Sequence, residues 1–433
     1  MLTLHPVPRV RGEITVPGDK SISHRAIMFG SLAKGDTHVT GFLESADCLS
    51  TMDCFNRLGI YIEKDWEHPG TLTVHGTGIH GLYPSYSPVA LYSGNSGTTT
   101  RIMTGILAPQ RFITYLSGDD SVNSRPMKRV MDPINAMGGN VVSMNDDNCA
   151  PLKITGAPLH GITYKTPVAS AQIKSAILCA GLYAEGETTV IEPAPSRDHT
   201  ERMLSAFGAS IVKDGNKRVT IRPAQQLHPV DITVPGDISS AAYFIAAALL
   251  KPGSELVIRN VGINSTRDGI LRVAEAMGAD IKKENIRGQE SEPYCDLIVK
   301  SSALHGTTVE GDIIPTLIDE LPVVALMGAI ACGTTIIRDA AELKVKESDR
   351  IAAVTEGLAA MGADITAADD GFVIRGGKPL HGANIHTFKD HRIAMTFAVA
   401  SLLADGDTVL DDETCVSISY PDFFRDLAGV TEE

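Results

Sequence analysis

What this sequence lacks narrows what it can be. Basic residues are in deficit: 38 Lys and Arg against 52 Asp and Glu leave a formal net charge of −14. That argues against nucleic acid or an anionic membrane as the main partner. Any anionic ligand must be held by a local cluster of cations against the overall field. Paired cysteines are also missing. The seven cysteines, at 48, 54, 149, 179, 295, 332 and 415, are scattered, odd in number and form no CxxC. This is the pattern of a reducing compartment, not of a disulfide framework or a zinc ribbon. Long apolar runs are absent too. The longest, around Ala241–Leu250, is too short to span a bilayer, and the opening MLTLHPVPRV has no signal-peptide shape. A soluble, cytoplasmic protein is expected.

What is present is an ordinary globular composition, 43% hydrophobic and 21% charged over 433 residues. It can bury large cores in two or more domains. Its most informative stretch is Val16-Pro-Gly-Asp-Lys-Ser-Ile-Ser-His-Arg25. A strand-like Ile14–Val16 stops at Pro17-Gly18. A helix pattern then begins at Ser21, a good N-cap, and runs to about Lys34, with Gly35 as its stop. Lys20 and Arg25 place positive charge where a helix already carries about half a positive charge and unpaired N–H groups. That is locally unfavourable unless an anion binds there, so the stretch is a candidate anion site. A capped surface helix with solvated Lys and Arg is the alternative.

VPGD recurs at Val234–Asp237, again between a short strand and a long apolar helix. A finer period accompanies it. Amphipathic helices end in glycine at Gly59, Gly138, Gly208, Gly278 and Gly362, with a worn copy at Gly429, as a left-handed C′ position prefers. The copies lie roughly 70–85 residues apart, which makes six units. His80, His160, His228, His305 and His381 keep the same phase, so they read as turn residues and not as ligands. Each unit has one apolar helix, near 21–34, 97–108, 170–184, 238–250, 319–332 and 390–404. The unit reads strand, apolar helix, strand, strand, amphipathic helix, strand. A single unit buries little, so three pack per domain, and their helix N-termini are expected to converge on one cleft.

The residues opening these helices are polar and often cationic: Lys20-Ser21-Ile22-Ser23-His24-Arg25, Gly94-Asn95-Ser96-Gly97-Thr98, Ser170-Ala171-Gln172-Ile173-Lys174, Asp319-Glu320 and Asp390-His391-Arg392. The amphipathic helices repeat the theme at Ser124-Arg125, Ser196-Arg197 and Lys346-Glu347-Ser348-Asp349-Arg350, the last with Ser348 as its expected N-cap. Such clusters are usually solvated helix starts. Wrong-signed charge at five helix starts in an acidic protein weakens that reading.

Seven motifs in order, VPGDKSISHRA, GNSGTTTR, SRPM, ASAQIKSA, IDELP, LKVKESDR and FKDHRIAM, resemble the 5-enolpyruvylshikimate-3-phosphate (EPSP) synthase family; with PD at 421–422, the resemblance extends from residue 16 to 422. It implies an α/β (α+β) fold, a two-domain inverse αβ barrel of six βαβαββ repeats, three per domain. Residues 1–19 with 235–433 would form one domain and 20–234 the other, with the active site in the cleft between them. It implies transfer of the enolpyruvyl group of phosphoenolpyruvate to the 5-hydroxyl of shikimate 3-phosphate, on the shikimate pathway to chorismate and the aromatic amino acids, with no metal and no cofactor. Partners are the two small-molecule substrates, with no nucleic acid and no membrane, and the chain is read as a monomer. Carried over by residue, Lys20, Ser21, Arg25, Ser170, Ala171, Gln172, Arg197, Asp319 and Lys346 surround shikimate 3-phosphate. Lys20, Asn95, Gly97, Thr98, Arg125, Gln172, Arg350 and Arg392 surround phosphoenolpyruvate. Asp319, Glu347 and Lys20 are the catalytic set. Asp319 matches the proton acceptor from the 5-hydroxyl, and Glu347 the group exchanging a proton with the phosphoenolpyruvate methylene.

The sequence departs from the best-known branch at Ala171, where that branch has Ser, at Glu342, where it has Asn, and at Ile418, where it has a phosphoenolpyruvate-contacting Lys. Lys174 and Arg197 are candidates to supply that positive charge. Gly97 matches the glycine of glyphosate-sensitive members, so sensitivity is expected. Two other readings stand beside this one. A sister enzyme transfers enolpyruvyl to a UDP-aminosugar, but usually carries a Cys in the loop matching Ser117–Arg125, and none is here. A non-catalytic anion-binding repeat protein would not need the unit-specific charges.

Overall fold

The computed structural model describes residues 1–289 and 291–432. It separates into two compact units, Met1–Pro17 with Pro235–Glu433, and Gly18–Val234. The chain passes between them inside the two VPGD motifs. Each unit has its own hydrophobic core.

Among the described residues there are five sheets of four strands and one of three. Each four-stranded sheet has one parallel pair and two antiparallel pairs. In Thr163–Lys165, Thr188–Ile191, Ile211–Asp214 and Arg218–Ile221, for example, the first pairs with the second and the fourth lies between second and third. Parallel neighbours need a crossover, which the apolar helix supplies, whereas an antiparallel hairpin closes with a tight turn. The order is therefore strand, helix, strand, helix, strand, strand. The residue pattern suggested two strands between the helices. The structure has one, because the hairpin follows the second helix.

The strands beside the VPGD motifs exchange sheets. Arg11–Thr15, which precedes the Lys20 helix, pairs with the strand Glu255–Gly262. Ile232–Thr233, which precedes the Ile238 helix, pairs with Val39–Thr40. The sixth repeat is abbreviated. Asn384–Ile385 and Thr408–Leu410 pair in parallel, and Leu2–Leu4 completes their sheet. The proposed worn marker Gly429 lies inside the helix Phe423–Val430 and ends nothing.

In four repeats the two markers touch each other; in the first, Gly59 meets the Tyr83 backbone and not His80. Gly138, Gly208, Gly278 and Gly362 have φ between +89° and +95°, and a Cβ on each would meet the ring of His160, His228, His305 or His381. These four histidines also donate their backbone N–H to the end of the same helix, at Met137, Phe207, Met277 and Met361. Their phase thus comes from capping a helix C-terminus, which agrees with a turn role.

The six apolar helices differ between the units. In Gly18–Val234, the helices Lys20–Leu32, Gly97–Leu107 and Ala171–Gly181 are buried except at Lys20, Ser21, Thr98, Ala171 and Gln172 in their first turns. In the other unit, Ile238–Leu250 and His391–Ser401 are buried throughout, and Leu321–Ile330 is open only at Ile330. Two caps fall one or two residues from their expected places. Asp19, not Ser21, caps the Lys20 helix by accepting from the Ile22 N–H. Asp349, not Ser348, caps Arg350–Ala360 by accepting from Ile351 and Ala352. A carboxylate offsets the N-terminal dipole better than a neutral hydroxyl. No helix of the described residues is long and apolar enough to cross a membrane.

Candidate active site

In Gly18–Val234 the site residues gather at helix starts. Lys20 opens its helix with its Nζ 3.0 Å from Asp47 Oδ2. Asp47 sits in the first turn of Ala46–Arg57, where an acid ordinarily marks only a favourable dipole contact, so its pairing with Lys20 is not legible from residue order. Arg25 is 3% exposed. It donates to Thr200 Oγ1 at 2.7 Å, Ser175 Oγ at 2.8 Å and the Ser21 carbonyl at 2.9 Å. Burial pulls its guanidinium below the ordinary value and Arg197 adds to that, while Cys179, Glu201 and Asp19 oppose it.

Beside it, Ser96 caps the Gly97 helix by accepting from the Thr99 N–H. A Cβ on Gly97 would lie 2.8 Å from Arg101 Nη1 and 3.2 Å from Arg125 Nη1, so the missing side chain leaves room for two guanidinium ends. Arg125 donates to Ser121 Oγ at 2.8 Å and Asn95 Oδ1 at 3.3 Å, and Asn95 donates to Asp119 at 2.7 Å. Gln172 joins two helix starts, donating to Thr98 Oγ1 at 3.0 Å and accepting from Arg101 at 2.8 Å. Arg101 was not among the candidates. Its spacing of four from Gly97 on one helix was the available signal. Ser170 and Ala171 open the third helix, and Arg197 precedes Asp198, the residue just before His199–Ala206.

Lys174 does not supply free charge in place of a lysine at Ile418. Its Nζ is 2.8 Å from both Glu192 Oε2 and Glu201 Oε1, and all three are buried.

In the other unit the arginines meet carboxylates. Arg350, 1% exposed, donates through Nε to Asp390 Oδ2 at 2.8 Å and through Nη2 to Asp390 Oδ1 at 3.2 Å. It also reaches Glu347 Oε2 at 2.7 Å and Asp319 Oδ1 at 3.3 Å. Burial alone would lower Arg350; Asp390, Glu347 and Asp319 together raise it. Lys346 Nζ lies 3.4 Å from the same Asp319 oxygen. Asp390 is fully buried. It caps its helix through the Arg392 N–H and accepts from Ser348 Oγ. Asp390 was missed as a site residue because an acid before a helix reads first as a cap. Arg392 is buried too; burial lowers it, and Tyr243, Asp319, Glu320 and Asp237 outweigh that and raise it. Ile418 ends the short helix Thr414–Ile418 and brings no charge. Among the described residues no group of His, Cys, Asp or Glu could hold a metal ion.

One unit thus opens its helix starts with lysine, guanidinium and hydroxyl donors, and the other pairs arginine with carboxylates able to move protons. The class these features define is a protein of two repeat-built units with polar and charged side chains at its helix starts. The family model described as EPSP synthase (3-phosphoshikimate 1-carboxyvinyltransferase) matches residues 4–427, and the chain belongs to that family. A relative of that name from Brevibacillus brevis is 50% identical over 433 residues, all of both chains. One from Geobacter sulfurreducens is 50% identical over 98% of this chain and 97% of its own. The solved EPSP synthase of Acinetobacter baumannii superposes with a TM-score of 0.88 at 43% identity, covering 99% and 98% of the two chains. An enolpyruvyl transferase from Streptomyces tendae, 18% identical with a TM-score of 0.78 over 99% of this chain and 96% of its own, shares the fold.

Proposed function

We propose that this enolpyruvyl transferase of the shikimate pathway divides its work between the two units. Lys20, Ser21, Arg25, Ser170, Gln172 and Arg197 hold shikimate 3-phosphate, with Lys346 and Asp319 on its hydroxyls. Asn95, Gly97, Thr98, Arg125, Arg350 and Arg392 hold phosphoenolpyruvate. Guanidinium groups suit this task because they stay charged and meet carboxylate and phosphate bidentately.

The chemistry is addition, then elimination. A carboxylic acid, Glu347, delivers a proton to the methylene carbon. The 5-hydroxyl oxygen bonds to the adjacent carbon as Asp319 accepts its proton. The methyl carbon then gives a proton back to the Glu347 carboxylate, the carbon–oxygen bond to phosphate breaks, and Lys20 stabilises the leaving phosphate, which carries off the proton held by Asp319. No redox step is involved, and none of these transfers calls for a metal or an organic cofactor. Closing on the substrates would exclude water and strengthen each charge contact. We read the chain as a cytoplasmic monomer.

The observation that carries this reading is Arg350 bonded to both Asp319 and Glu347. One guanidinium sets two proton-transfer groups beside a position suited to an anionic substrate, which a passive anion-binding scaffold would not need. A phosphate-release assay tests it. Phosphate should appear only when shikimate 3-phosphate and phosphoenolpyruvate are both present. Release with a UDP-aminosugar in place of shikimate 3-phosphate, or with neither, overturns it.

A further inference from the structure

Lys174, Glu192 and Glu201 form a buried ionic triad in Gly18–Val234, with side chains 4%, 2% and 3% exposed. Burial would lower the Lys174 ammonium, but Glu201 and Glu192 outweigh it and hold the group above its ordinary range. Each carboxylate spends one oxygen on the ammonium. Glu192 Oε1 and Glu201 Oε2 are buried and accept no hydrogen bond. Two acids share one base, so the triad carries a surplus negative charge, and Glu201 acts on Arg25.

Such a cluster is a poor way to stabilise a core. Removing two or three charges from water costs several kcal/mol per ion, and apolar residues of similar volume often serve as well or better. What the triad does uniquely is fix three segments to one atom. Lys174 lies on the Ala171 helix, Glu192 follows the strand Thr188–Ile191, and Glu201 lies on His199–Ala206. The Ser196 carbonyl is a third partner of Lys174 Nζ, at 3.4 Å.

Lys174, Glu201 and Ser196 each adjoin a residue of the sugar-phosphate half-site or a partner of one. Lys174 is next to Ser175 and Glu201 next to Thr200, the two hydroxyls that accept from Arg25 and bond each other at 2.6 Å. Ser196 is next to Arg197. Gln172 is two residues before Lys174.

We propose that Lys174, Glu192 and Glu201 are positioning residues for shikimate 3-phosphate: the triad sets the spacing of Arg25, Arg197, Ser170 and Gln172 without touching substrate. This rests on the assignment of those four residues to that ligand. Apart from Gln172, which also bonds Thr98 and Arg101, the residues beside the triad belong to one half-site. The hydroxyl chain that reaches the phosphoenolpyruvate loop, Thr51 to Thr99 to Ser96, runs from His24 and not from Lys174.

The test is steady-state kinetics with each substrate varied separately. Lys174→Met alone strands two buried carboxylates and endangers folding, so the main variant is Lys174→Met/Glu192→Gln, which leaves the net charge unchanged and Glu201 facing Arg25. KM for shikimate 3-phosphate should rise at least ~10-fold while kcat and KM for phosphoenolpyruvate stay within ~3-fold. Lys174→Arg should recover most of the loss, and Glu192→Gln alone should be mild, since Glu201 keeps the ammonium paired. Unchanged KM for shikimate 3-phosphate in the double variant overturns the proposal. So does an equal shift in both KM values and kcat, the signature of general loosening. If wild type shows no saturable dependence on shikimate 3-phosphate, the ligand assignment fails first, and the proposal with it.

Discussion

Arg25 and Arg350 are both buried at helix starts, yet their surroundings are opposite. Arg25 donates to two hydroxyls and a carbonyl, and burial lowers it. Arg350 is ringed by Asp390, Glu347 and Asp319, which raise it. The first is a cation whose direct partners are neutral, so an incoming anion improves its situation. The second is ringed by three carboxylates, one of them shared with Lys346, so its charge is already spent on acids of its own unit. A buried guanidinium can therefore be chiefly a receptor for charge, or a clamp for acids that also meets a ligand, as proposed for Arg350, and its partners decide which. The rest of each unit follows suit. Helix starts in Gly18–Val234 are half-open and polar, whereas those of the Ile238 and His391 helices are closed.

Removing one working group from each side should have the largest effect. Glu347→Ala and Lys20→Ala should each lower turnover at least ~10²-fold with the fold retained. Near-normal turnover in either one removes that unit from the chemistry. Next in size, Arg350→Met should destabilise the protein by about 3–5 kcal/mol in denaturant melts, because it leaves buried carboxylates uncompensated. A neutral result would mean those acids do not depend on Arg350.

Gly97→Ala should act more gently. The added Cβ pushes on the ends of Arg101 and Arg125, both flexible, so KM for phosphoenolpyruvate should rise within ~10-fold. Wild type should be inhibited by glyphosate at concentrations comparable to phosphoenolpyruvate, and the variant less so. Full wild-type activity at glyphosate far above phosphoenolpyruvate removes that expectation.

The smallest effect concerns pH. Burial, with Lys20 and Arg25 adding to it, holds His24 well below 6.5. Below pH 6.5 the unfolded chain takes up a proton there that the folded chain refuses, so this residue's contribution is present above that value and lost as pH falls. His24→Gln should flatten the stability curve between about pH 6.5 and 5. An unchanged slope assigns it to other groups.

Much of this was legible in the sequence. The helix-ending glycines and their in-phase histidines marked the repeats because one local contact recurs in four of them, as at Gly138 with His160. Wrong-signed charge at helix starts located Lys20, Arg25, Arg125 and Arg350. Partners were not legible. Lys174 looks like one more cation until Glu192 and Glu201 are brought to it across 18 and 27 residues. Asp390 reads as a cap because capping is its local role, and only the fold adds Arg350 and Ser348. Strand order within the repeat escaped because a hairpin and a crossover strand have the same two-residue alternation.

The comparison is tested most directly by thermal unfolding of Arg25→Met and Arg350→Met with and without shikimate 3-phosphate. Without ligand, Arg25→Met should lose less than half as much Tm as Arg350→Met, and it should lose the ligand-induced rise in Tm that wild type shows. If Arg25→Met falls as far as Arg350→Met and still gains the full rise from shikimate 3-phosphate, Arg25 is a structural clamp like its counterpart, and the division between receptor and clamp is wrong.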